Sequence, residues 1–196
     1  TSCVDMFVEK AENLKGKNIQ SYCGQAEKSI LPGYVGVETG QAAFGDIFAW
    51  FKRLLEWPLN QLSQIGESDI SEELCIKVKD QILLMLQEEA ERLPDEPFPV
   101  ALDWFNGRRY PNTDDAQKSA IVGLLLGMDA PYLYRSLVFG AVCGLYRLIE
   151  GFEKQQINIE KIIAVGGISK KSPYVMQMLS DLSNREICIL DSDQTC

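Results

Sequence analysis

Gly166-Gly167 stands between an apolar run, Ile162-Ile163-Ala164-Val165, and the pair Ser172-Pro173. Four consecutive apolar residues predict a buried strand with no polar face. Ser followed by Pro predicts an N-cap and the first residue of a helix. Two glycines at such a junction let the backbone approach a ligand closely, and a helix N-terminus offers free N–H groups to an anion. That is half of a nucleotide site, or else a plain structural turn. A second chemical group is Glu38, a carboxylate among glycines and followed by Gln41. It can accept hydrogen bonds from several substrate hydroxyls without crowding, or it is a solvated loop glutamate. The third group is Asp103, Asn106, Arg108 and Arg109. Arginine forks there hold a cleft closed or meet a phosphate, or Asp103 pairs with an arginine and stiffens the loop.

These groups need elements to hold them. Cys3–Val8 and Asn18–Cys23 read as strands joined by a turn over Ala11–Lys17. Residues 30–40 are glycine-rich around a buried-looking Glu38. Gln41–Glu56 predicts a helix, because Phe44, Ile47, Phe48, Phe51, Leu54 and Leu55 recur at three and four residues, and Pro58 is expected to stop it. From Leu59 to Glu96 the chain turns acidic and helical, with Ser71-Glu-Glu opening a helix through Ile76, Ile82, Leu83, Leu86 and Leu93 that ends at Pro94. Residues 59–97 therefore read as a helical insert packed over the core. Phe98–Leu102 is a short strand running into the Asp103–Pro111 loop. Ala130-Pro131 opens a helix to about Phe152, with Leu133, Leu137, Ala141, Leu145, Leu148 and Phe152 on one stripe. A final helix leads to a strand over Glu186–Leu190. A helix crossing between 161–165 and 186–190 indicates an α/β fold with a parallel pair. Trp50, Trp57 and Trp104 read as core, and Lys170 and Lys171 as a solvated rim.

Composition removes several classes of function. The 196 residues suffice for one well-buried domain or two small ones. A net charge of −9, with basic residues only in pairs, argues against a nucleic-acid partner. No apolar stretch approaches the roughly 20 residues of a membrane helix. The chain has no histidine, and its six cysteines lack a Cys-x-x-Cys spacing. Zinc and Cys–His chemistry are thereby excluded, no metal site is expected in the chain, and the scattered cysteines point to a reducing, cytoplasmic compartment. Both ends are abrupt, so the chain is expected to be a piece of something longer.

Six motifs occur in one order: Thr1-Ser2-Cys3; Gly36-Val-Glu-Thr-Gly-Gln-Ala-Ala-Phe-Gly45-Asp46; Ala101-Leu-Asp-Trp-Phe-Asn-Gly-Arg-Arg109; Gly123-Leu-Leu-Leu-Gly-Met-Asp-Ala-Pro131; Ala164-Val-Gly-Gly-Ile-Ser-Lys-Lys-Ser172; and Ser192-Asp-Gln-Thr-Cys196. Together they resemble the C-terminal domain of the FGGY carbohydrate kinases over the whole chain, and the second and third are most similar to ribulokinase-like members. The broad signature of that family has a polar residue where this chain has Tyr132 and an acidic residue or Gln where it has Phe139; ribulokinase-like members depart from that signature too.

The resemblance implies a ribonuclease-H-like, actin-like ATPase domain with a helical insert, residues 1–196 being the nucleotide-clamping half of a two-domain protein. It implies ATP and Mg²⁺ as cofactors, L-ribulose as substrate and transfer of the γ-phosphate to its 5-hydroxyl. The missing N-terminal kinase domain is the implied partner, and a homodimer is left open. By the same resemblance Thr1 belongs to a phosphate-binding turn, and Gly45, Gly166, Gly167 and Ser172 to the nucleotide pocket. Glu38, with Gln41, belongs to the sugar. Gly45 has close helix packing as its alternative, and Ser172 has a plain N-cap. No catalytic residue is assigned in the chain, because the family's basic aspartate precedes the position matching Thr1. A non-catalytic actin-like sensor of nucleotide or sugar, and a kinase of another pentulose or a polyol, remain as other readings.

Overall fold

The computed structural model describes residues 2–8, 14, 25–27, 32–65 and 71–190. Thr1, the predicted strand over 18–23, most of the predicted 11–17 turn and the 192–196 motif lie outside the described residues. An antiparallel sheet holds β1 (Ser2–Val8), β2 (Gln25–Glu27) and β3 (Val35–Gln41) in the order β1-β3-β2. The glycine-rich stretch is thus a central strand. Gly36 and Gly40 read as turn residues, and the inward positions carry the polar Thr39 and Gln41 after Val35 and Val37, so neither composition nor period marks the strand. Val35, Val37, Thr39 and Gln41 are buried, whereas Glu38 and Gly40 are only partly so.

Helix α1 (Gly45–Ile65) buries Ile47, Phe48 and Phe51 against the core, together with Phe44 just before it. Pro58 does not stop it. A proline frees the carbonyl four residues earlier, and here that residue is Leu54, 51% exposed, where water can satisfy the freed group. The same outward run leaves Trp57 64% exposed, so it is not core. Helix α2 (Glu72–Arg92) starts as the sequence predicts, with the Ser71 hydroxyl accepting from the Leu74 N–H at 3.1 Å. Only its second half is seated, through Leu86, Gln87 and Ala90; Ile76 is exposed.

The centre of the molecule is α3 (Ala130–Lys154). Its buried set, Tyr134, Ser136, Leu137, Val138, Ala141, Val142, Leu148, Ile149 and Phe152, is wider than one stripe, because α1, α2, α5, β3 and β4 surround it. Strands β4 (Val100–Ala101) and β5 (Ile121–Val122) pair antiparallel beside it. Strand β6 (Ile162–Ala164), α4 (Gly167–Lys171), α5 (Pro173–Ser183) and β7 (Ile187–Ile189) complete the order, with β6 and β7 parallel as the crossover predicts. Ile162 and Ala164 pack on the core, but Ile163 is 48% exposed and Val165 44%. The expected fully buried strand is therefore covered on one face only among the described residues. No helix is long and apolar enough to cross a membrane among the described residues.

Candidate active site

The glycine turn is two steps rather than one. Gly166 sits at φ +104°, a conformation that favours glycine, and caps the short helix α4, which the sequence reading merged into the turn. Among the described residues a Cβ on Gly167 would meet nothing within 4 Å, so the backbone there faces open space. Gly45, at the start of α1, lies against α4: a Cβ on it would stand 2.6 Å from Ile168 Cδ1. The two glycine motifs, over a hundred residues apart in the chain, are thus neighbours. Close packing accounts for Gly45, and openness accounts for Gly167.

Ser172 caps α5, accepting from the Val175 N–H at 3.4 Å, and donates to Gln87 Oε1 at 2.7 Å. Its hydroxyl ties α5 to α2. Beside it, burial pushes the Tyr134 phenol up to about 12, against the lowering effect of its hydrogen bond with Ser172. Lys170 and Lys171 fall in the last turn of α4.

Glu38 and Gln41 are separated by the strand itself. Side chains alternate across a strand, so residues three apart point to opposite faces. Glu38 stays partly exposed on one face, opposite Asp5 in the β1–β3 register. Gln41 is 5% exposed on the other face, and its amide donates to Asp103 Oδ2 at 2.6 Å and to the Ala141 carbonyl at 3.0 Å. Burial raises the Asp103 pKa, more than the Gln41 hydrogen bond lowers it. Burial also raises the Cys143 thiol, with the Asp103 charge adding to the shift.

The 103–111 loop is braced from within. Arg108 and Asp114 exchange two backbone hydrogen bonds, at 3.0 and 2.8 Å. The Arg108 guanidinium donates to the Asn112 carbonyl and lies 5.4 Å from the Trp104 ring. Asn106 reaches the Ala42 carbonyl at 3.4 Å, and Phe105 packs on Trp50 at 4.9 Å. Asp103 is thus tied to an amide, where the sequence reading favoured an arginine. Arg109 lines a cavity of about 340 Å³ together with Gln41, Asp103, Trp104 and Cys143.

Sequence reasoning missed the groove that seats this loop. Gly140, Gly144 and Gly151 face Ala101, Asp103 with Gln41, and Tyr110 in turn, and a Cβ at any of them would collide with these partners. Spacings of four and seven put three glycines on one side of a helix, and that spacing was the available signal. Tyr132 and Phe139, where the broad family signature is polar, are used locally: the Tyr132 hydroxyl donates to Glu96 at 2.5 Å and Phe139 meets Phe98 edge to face. Among the described residues no three His, Cys, Asp or Glu side chains gather where they could hold a metal ion.

Comparison with known proteins agrees with this architecture. The chain is 38% identical to a ribulokinase of Vibrio parahaemolyticus, over its full length and 34% of that protein. It is 32% identical to a ribulokinase of Halalkalibacterium halodurans, over 92% of this chain and 30% of that one. The chain therefore spans about a third of the curated relatives it matches. Among solved structures, Plasmodium falciparum glycerol kinase with ADP superposes with a TM-score of 0.67 at 15% identity, covering 98% of this chain and 34% of that one. The fold is that of the actin-like ATPases, in its sugar-kinase form. The description "FGGY family of carbohydrate kinases, C-terminal domain" matches residues 1–196, and the chain belongs to that family.

Proposed function

We propose that this chain is the nucleotide-clamping half of a cytoplasmic kinase that phosphorylates L-ribulose at its 5-hydroxyl. The observation that carries the reading is that Gly45 packs on Ile168, directly after the Gly166–Gly167 turn, while a Cβ on Gly167 would meet nothing within 4 Å among the described residues. Phosphoryl transfer is mostly positioning and charge neutralisation, so a glycine-lined approach for a nucleotide is the contribution this half is suited to make. The similarity to ribulokinases supports the pentulose. ATP would supply the transferred group. The described residues fit a nucleotide through Gly166 and Gly167, with Ser172 fixing the helix behind them. They do not by themselves fit Mg²⁺, so no step here runs through the metal. The basic carboxylate, the metal ligands and most sugar contacts are assigned to a companion domain of the same polypeptide. Glu38, on the outward face of β3, is assigned to the substrate hydroxyls, and Gln41 is assigned to holding Asp103.

In the complete polypeptide, Gly167→Ala adds a methyl group where the fold leaves room, so folding is expected to be kept while KM for ATP rises about tenfold. Glu38→Ala is expected to weaken sugar use and spare ATP. Steady-state kinetics on both variants test the assignment, and equal losses for both ligands in either variant would overturn it. A sensor that binds without transfer is the second reading; the fold admits it, since a clamp needs no chemistry to close.

A further inference from the structure

Strand β3 carries Glu38 on one face and Gln41 on the other. Strand β2 pairs only with residues 35–37, so among the described strands β1 alone flanks residues 38–41. Gly36 and Gly40 bracket Glu38 and contribute no side chain to fix the backbone. The tie comes from the other face. Gln41 donates both to Asp103 and to the Ala141 carbonyl, joining β3 to the 103–111 loop and to α3 in one side chain. Gly144 makes the junction: a Cβ there would stand 2.7 Å from Asp103 Cγ and would collide with the Gln41 amide as well. The pair is buried enough that Asp103 is penalised for its charge, so the site spends stability on holding this geometry.

We propose that Gln41 and Asp103, seated against Gly144, are positioning residues for the substrate-facing carboxylate Glu38, and so set affinity for the sugar without touching it. The inference rests on the assignment of Glu38 to the sugar. What the strand needs from position 103 is an acceptor at the right place, not a charge. An asparagine can present its amide oxygen to Gln41 in the same way, whereas alanine cannot.

The experiment compares Gln41→Ala, Asp103→Ala, Asp103→Asn and Glu38→Ala in the complete polypeptide. The readouts are KM for L-ribulose and for ATP, with thermal unfolding on each variant. Gln41→Ala and Asp103→Ala are expected to raise KM for the sugar about tenfold while KM for ATP changes less than about twofold; Asp103→Asn is expected to stay within about threefold of the parent for both. A parallel rise in both KM values, or a loss confined to the amount of folded enzyme, would mark the pair as merely structural and overturn the proposal. Asp103→Asn failing as badly as Asp103→Ala would overturn it too, because the charge would then be what matters. Glu38→Ala separates the two levels: if it leaves KM for the sugar unchanged, the sugar assignment fails. If it raises that KM while Gln41→Ala is silent, only the positioning role fails.

Discussion

Asp103 is a carboxylate that the fold disfavours in its charged form. Burial pushes its pKa above the ordinary aspartate value of 3.8, outweighing the Gln41 hydrogen bond that lowers it. The folded state therefore holds its proton to higher pH than the unfolded chain does. The stability this gives is complete below pH 3.8 and is lost as pH climbs through the raised folded value. Asp103→Asn has no such loss. Its thermal midpoint is expected to exceed that of the parent at pH 7, with the gap closing below pH 3.8; a gap that widens on acidification would contradict the burial argument. Cys143 gives an independent reading of the same charge. Burial and then the Asp103 carboxylate raise its thiol, so in Asp103→Asn its alkylation at pH 8 is expected to quicken.

At the scale of elements, Ser172 joins two helices. Ser172→Ala removes the α5 cap and leaves Gln87 without the donor of its 2.7 Å bond. A cost of about 2 kcal/mol is expected, or a drop of about 4–8 °C in thermal midpoint, measured by calorimetry. An unchanged midpoint would mean that water replaces the hydroxyl. Helix starts of this kind were legible in the chain: Ser71 and Ser172 both cap as their sequences predict. Stops were less so. Proline breaks helices by removing a hydrogen bond, but α1 runs on through Pro58, because the loss matters little where the freed carbonyl faces water, and a one-dimensional pattern does not say which side that is. Strand β3 was hidden by its own glycines, and α4 by its five residues. The glycine junction near Gly166 was legible, whereas the Gln41–Asp103 tie was not, because it spans 62 residues of sequence. What the chain does display is the 140, 144, 151 spacing of glycines in one helix, which marks a groove without naming its occupant.

For the molecule as a whole, α3 is the mast against which both candidate regions are set. It packs on α5 behind the glycine turn and on β3 and β4 beside the Gln41–Asp103 tie. Leu137 is 1% exposed at its centre, so Leu137→Ala is expected to cost about 2–5 kcal/mol and to weaken both ligand sites together, unlike any variant at the sites themselves. Because the proposed kinase divides its chemistry between two domains, the 196-residue chain alone is expected to show no turnover. The most direct test of the central claim is ADP release by the complete polypeptide with Mg-ATP and L-ribulose, D-ribulose, D-xylulose or glycerol. The account predicts turnover with a clear preference for L-ribulose. Bound ATP without turnover on any of the four would contradict the kinase, and preference for another sugar would contradict the substrate.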